Sequence, residues 1–196
     1  MNERRSLQLL AEKYEQVLLN EDGYEEAWEM FHLKGSDVQK MNRELFGFNY
    51  ETPEAMNKDP KVDMIAKSLG AFIDKLKIQK LPWNEIPGLK TMVPEWLKAF
   101  QSIQDSPNVE QECVKLMLQR DAEGGPRPGG KKPNEKIIKD IKEGLGDPVV
   151  LLKMPSAFYA VGGRTRMYAA LATKTDVRAI ILTPEILQQW KHQPQT

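Results

Sequence analysis

The apolar period of this sequence changes at one place, and that break limits the folds open to it. Residues 121–136, DAEGGPRPGGKKPNEK, hold four glycines and three prolines, a density that neither a helix nor a strand sustains. Before the tract, apolar residues recur at helical spacing. After it, short β-branched runs alternate with helical segments. A chain of 196 residues fits one or two compact domains, so the break predicts two: a helical domain over 1–120 and a small α/β core over 121–196. The expected fold class is α+β.

The first half reads as a series of amphipathic helices. Leu7, Leu10, Ala11, Tyr14, Val17 and Leu18 form one stripe, with Ser6 as its N-cap. Tyr24, Ala27, Trp28 and Phe31 form a second, ended by Gly35. Ser36 is then expected to cap a third, with Val38, Met41 and Leu45 inward. Residues 36–48 also fit a helix-turn-helix, but Lys40 and Arg43 are too few cations for a DNA-reading helix. NYETPEAMNKDP reads as a polar loop, and the run from Val62 to Leu76 as the longest helix of this half. LPWNEIPGLK is too rich in Pro and Gly to be regular. Helices are predicted from Pro94 and from Val109 to Arg120, the latter burying Cys113 as an ordinary core thiol.

Composition excludes several classes. One cysteine rules out an internal disulfide and any four-thiolate metal site, and His32 and His192 have no ligand-spaced neighbours. No metal site is therefore expected. The opening residues lack an apolar signal core, and no run approaches a membrane span. The expectation is a soluble, cytoplasmic protein with no membrane partner. Lys+Arg and Asp+Glu both number 28, yet residues 1–110 balance at −5 and residues 111–196 at +5. The second region is the better host for an anion, and the acidic helical region is a candidate surface for a protein partner.

In the basic region Asn134 opens a helix with Ile137, Ile138, Ile141 and Leu145 on one face, stopped by Gly144 and Gly146. PVVLLKM and FYAVGG read as strands joined at Pro155-Ser156. RTRMYAALATK reads as a helix and VRAIIL as a third strand. The chemistry points to one junction. A strand that runs through Gly162-Gly163 straight into a helix presents unpaired N–H groups at the positive end of a dipole. Arg164 and Arg166 stand in that first turn, where cations are unfavourable unless an anion offsets them. This is the design of a phosphate site.

The segment from about 134 to 182 resembles the nucleotide-binding core of the ParB/sulfiredoxin superfamily. The residues that carry the likeness are Gly146 and Pro148 ahead of the first strand, and the Gly-x-x-Arg-x-x-Ala box of Gly163, Arg166 and Ala169. The resemblance implies a nucleoside triphosphate, ATP or CTP with Mg²⁺, held at its phosphates by Gly162, Gly163 and Arg166. Arg164 and Thr165 would be further donors, and Lys131 and Lys132 would fold over the phosphates. Arg164 replaces the reactive cysteine of sulfiredoxin, so sulfinic-acid reduction is not expected.

The expected function is a phosphotransferase, kinase-like toward a hydroxyl on a small molecule or in DNA, or an NTPase. The base would be a carboxylate: Glu85, which resembles the position of an acidic residue in serine-kinase relatives, or Asp121 or Glu123 beside the glycine tract. Each is also readable as a solvated side chain. A non-enzymatic module binding nucleotide, DNA or protein is the alternative. A nuclease, with Asp147 and Asp176 as the only acidic groups near the box, ranks below it.

Overall fold

The computed structural model describes residues 21–124 and 134–192. The expected first helix with its Ser6 cap, and Lys131 and Lys132, lie outside them. The fold is α+β, with helices and one small sheet. The chain forms two compact units, 1–76 with 188–196, and 77–187. The expected boundary at residue 120 instead falls inside a helix.

In the first unit the helices are α1 (Glu21–Phe31), α2 (Ser36–Met41), α3 (Pro53–Asn57) and α4 (Pro60–Ile73). Three local expectations change. Gly35, with extended backbone, precedes α2 where Ser36 was expected as the cap, and the Asp37 carboxylate accepts from the Val38 N–H. A π-helical turn, Asn42–Phe46, continues α2 and buries Phe46. The supposed polar loop contains α3 and the start of α4. Its two prolines begin helices rather than break them, because a first-turn proline gives up an N–H that has no intrahelical partner. Thr52 caps α3 through the Ala55 N–H, and Asp59 caps α4 through the Lys61 N–H at 2.8 Å. Lys40 pairs with Glu44 along its own helix at 3.8 Å, and Val38 and Met41 are core; this segment is a packing element.

Helices α1 and α4 cross at two glycines. A Cβ on Gly70 would lie 2.5 Å from the Tyr24 amide nitrogen, and one on Gly23 2.5 Å from the Gly70 carbonyl oxygen. Backbone therefore meets backbone. Tyr24 donates to Asp63 across the same pair at 2.9 Å. Below it Phe31 sits edge-on to Phe46 and Phe48, with centroids at 5.1 and 5.0 Å. Trp190 covers Phe46 and donates its indole N–H to the Ser68 hydroxyl.

The second unit carries the sheet, built from β1 (Gln79–Leu81), β2 (Val149–Lys153), β3 (Phe158–Gly162) and β4 (Val177–Leu182) in the order β1-β4-β2-β3. The β2–β4 pair is parallel and the other two are antiparallel. Helices α5 (Pro94–Ser102), α6 (Val109–Gly124), α7 (Asn134–Lys142), α8 (Arg164–Thr173) and α9 (Pro184–Lys191) complete the order, α9 crossing the sequence boundary between the units. At sixteen residues α6, not α4, is the longest described helix.

The expected sequence of helix, strand, strand, helix, strand stands. Pro155-Ser156 closes the β2–β3 hairpin through Met154–Ala157 hydrogen bonds. Gly144, at φ +69°, ends α7. Leu145, expected on the inner face of α7, lies past its end and is 65% exposed. The LPWNEIPGLK segment is regular after all: Leu81 ends β1, and Trp83–Gly88 is a 3₁₀ helix. Lys90 then forms a single bridge to Tyr159 on the outer edge of β3. Next to it Thr91 holds a left-handed backbone, φ +70°, and donates to the Ala160 carbonyl. Helix α8 is the hub of this unit. Residues 167–172 are all buried, with α5, α6, α7 and the sheet packed around them. A helix buried on all sides needs small residues, and Ala169, Ala170 and Ala172 supply them.

Gly70→Ala forces two backbones apart and is expected to cost at least about 1–3 kcal/mol in the first unit. Urea unfolding followed by Trp28 and Trp190 fluorescence, with Trp83 and Trp96 replaced by Phe, measures it. An unchanged midpoint would contradict the close crossing.

Candidate phosphate-binding site

The junction between β3 and α8 is forced by the packing of β2 beside it. Gly163 adopts φ +78°, and a Cβ there would come within 2.8 Å of Val149 Cγ1 and 3.1 Å of its Cα. Both the left-handed backbone and the space demand glycine. Gly163 sits at the N-cap and cannot cap with a side chain, and the first turn of α8 contains no acidic residue. The helix therefore opens with its N–H groups uncapped and with Arg164 and Arg166 beside them.

The box side chains divide into two groups. Arg166, 24% exposed, donates through Nη1 to the carbonyls of Asp147 and Pro148 at 2.9 and 2.8 Å. Its Nη2 lies 3.7 Å from the Asp147 carboxylate. Arg178 reaches the adjacent Gly146 carbonyl at 3.2 Å. Two guanidinium groups thus hold the turn that feeds β2, where the expectation was for Arg166 to face phosphates. Thr165 turns the other way. It is 8% exposed, and its hydroxyl accepts from Arg120 Nη1 at 2.8 Å.

Arg120 comes from the last turns of α6, and its guanidinium carbon lies 5.2 Å from the centroid of the Tyr168 ring. The Tyr168 hydroxyl accepts from the Val93 N–H at 2.9 Å, and Phe100 stacks on the ring at 5.0 Å. Burial raises the Tyr168 phenol. The Val93 hydrogen bond and the charges of Arg120 and Arg164 oppose that rise, while Glu95 adds to it. Arg120 and Glu95 are residues of this neighbourhood that the sequence did not reveal. Arg120 sits 45 positions from its partner, at the end of an apolar stripe, and no local pattern distinguishes it from a solvated helix end.

The three candidate carboxylates are not brought together. Asp121 is buried and follows Arg120 directly, so it lies on the helix end that reaches the box. Glu123 is exposed and accepts from Gln119 one turn back. Glu85 is exposed on the 3₁₀ helix, and its side chain makes no hydrogen bond or ion pair among the described residues. Asp176 accepts from the Trp83 N–H and pairs with Lys80 at 2.8 Å; the Lys80 hydrogen bond, then that N–H, hold its carboxyl below the usual range. Among the described residues no three His, Cys, Asp or Glu are grouped to hold a metal ion, and no helix is long and apolar enough to cross a membrane.

Cys113 is fully buried on α6 against Met117, with the two sulfurs 3.8 Å apart. Burial, and secondarily Glu110, pushes its thiol up to about 12, the environment of a structural rather than a reactive cysteine. Comparison of the chain with protein-family models, curated proteins and solved structures finds no match.

Two outcomes follow from this geometry. Cys113 is expected to resist iodoacetamide in the native protein at pH 8 and to react once the chain is unfolded in urea, as read by mass spectrometry. Because its folded pKa is raised, the contribution of this thiol to stability is intact below the unfolded value near 8.5 and declines above it. Arg166→Met removes two charge-assisted bonds to carbonyls and is expected to cost about 1.5–3 kcal/mol of stability in urea, with or without ligand.

Proposed function

We propose that this chain is a nucleoside-triphosphate-binding phosphotransferase or NTPase, with a core of the ParB/sulfiredoxin type following the N-terminal helices. The observation that carries the reading is the opening of α8. Its N–H groups are uncapped at a glycine that must be glycine, no acid stands in the first turn, and Arg120, Arg164 and Arg166 all lie on or against that turn. Such a helix end suits phosphate through hydrogen bonds and the helix dipole together. The two strands, the box and the following strand also occur in the order that the resemblance to that superfamily implies.

On this reading the backbone of Gly162 and Gly163 and the side chains of Arg164 and Thr165 receive the phosphates of ATP or CTP. Arg166 fixes the neighbouring turn. Mg²⁺ would arrive on the phosphate oxygens, since magnesium keeps most of its waters and needs few protein ligands. Phosphoryl transfer asks chiefly for position and charge neutralisation, which these groups supply. Asp121 is the best placed of the three carboxylates to act on an acceptor hydroxyl, because its helix end already touches the box. The acceptor would be a small molecule, DNA or water.

A second reading, a module that binds without turnover, draws on the fact that Arg166 and Thr165 are both engaged by the protein itself. Thermal unfolding with ATP, CTP, GTP or UTP, with and without Mg²⁺, tests both. One triphosphate at about 100 times its dissociation constant is expected to add roughly 2.7 kcal/mol. Arg164→Glu is expected to abolish the shift, read against that variant's own ligand-free midpoint. A shift with no phosphate release and no transfer would establish the binding module. No shift with any triphosphate would remove the nucleotide from the account.

A further inference from the structure

Thr91 is a β-branched residue held at φ +70°. Branched side chains are rarely found in the left-handed region, and one persists there only where its surroundings impose it. Here the surroundings are the outer edge of β3. Successive residues of a strand address opposite edges, so Tyr159 turns to Leu152 on β2 while Phe158 and Ala160 turn outward. Lys90 donates its N–H to the Phe158 carbonyl at 2.8 Å and accepts from the Ala160 N–H at 3.0 Å. These bonds make one rung of a parallel ladder.

The next rung is missing. In a parallel ladder that continued, the N–H of Met92 would donate to the Ala160 carbonyl. The left-handed turn at Thr91 takes the chain off the sheet instead, and the Thr91 hydroxyl supplies the donor. Lys90 Nζ lies 5.7 Å from the centroid of the Tyr159 ring. Lys90 and Thr91 are exposed, whereas Leu89 and Met92 on either side are buried. A short exposed span between two anchored ends is thus closed by three hydrogen bonds against its own backbone strain.

We propose that Lys90-Thr91 is a latch over the edge of β3, which opens while the rest of the unit stays folded. Opening lets Thr91 return to negative φ, with Leu89 and Met92 keeping the ends of the span in the core. It uncovers the Phe158 carbonyl, the Ala160 N–H and the Ala160 carbonyl in a row. Those are the groups to which an added extended strand bonds. The latch stands or falls apart from any phosphate site.

Native-state hydrogen exchange of the full chain, resolved by NMR, is the test, because it reads the free energy of each local opening. The Lys90 and Ala160 amides are expected to share one protection factor, at least about tenfold below that of Tyr159 in the same strand. Two variants then isolate the strain. Thr91→Ala and Thr91→Gly both lose the hydroxyl, but only glycine takes positive φ without penalty. Exchange at Lys90 and Ala160 should be about fivefold slower in Thr91→Gly than in Thr91→Ala. At an ordinary φ the order would be reversed, since glycine loosens the chain.

A smaller gap between Ala160 and Tyr159 would overturn the latch, because the edge would then open only with the strand itself. Exchange in Thr91→Gly as fast as in Thr91→Ala, or faster, would also overturn it, because no strain would act on the closed span.

Discussion

Everything around the candidate site depends on residue 163 having no side chain. The end of β3 passes so close to Val149 that a methyl group at this position would strike both its side chain and its backbone. Because glycine permits the approach, β3 turns into α8 with no intervening loop, and α8 is carried into the middle of the second unit. The helices that surround it pack on a position already set by the sheet. The uncapped helix start is a by-product of the same constraint, since a residue without a side chain cannot cap.

That constraint also explains how the arginines are apportioned. A turn squeezed between β2 and α8 leaves the carbonyls of residues 146–148 pointing where Arg166 and Arg178 satisfy them. Arg166 thus lends its charge to the helix end while its hydrogen bonds serve the fold. Arg120 and Arg164 stand on the Tyr168 side. Positive charge near a helix N-terminus has an intrinsic cost, and carbonyl and hydroxyl contacts offset part of it.

Much of this was readable from the residues. Apolar runs bounded by Gly or Pro gave three of the four strands and the helices around them, and Gly162-Gly163 ahead of Arg164 and Arg166 marked the junction. Most of the misses depend on partners far away in sequence, and one on the local ambiguity of proline. Strand β1 contributes one buried residue, Leu81, and becomes a strand only by pairing with β4 some 98 positions on. Helix α3 starts at a proline that punctuation rules read as a break. The domain boundary was misplaced because α5 and α6 look like the helices before them, whereas their packing against α8 assigns them to the sheet. The fate of Arg166 was equally hidden, for a cation in a first turn shows its charge in the sequence but not its hydrogen-bond acceptors.

The crossing of α1 and α4 has a consequence for how the first unit can vary. Cores commonly absorb a larger residue on one side when a smaller one appears opposite, so that volume is conserved across the pair. At Gly23 and Gly70 each residue would touch the main chain of the other helix, and neither side has anything left to trim. The two positions are therefore closed to compensating exchange. Compensating exchange stays open where side chains rather than backbones set the spacing, as in the aromatic cluster of Phe31, Phe46 and Phe48.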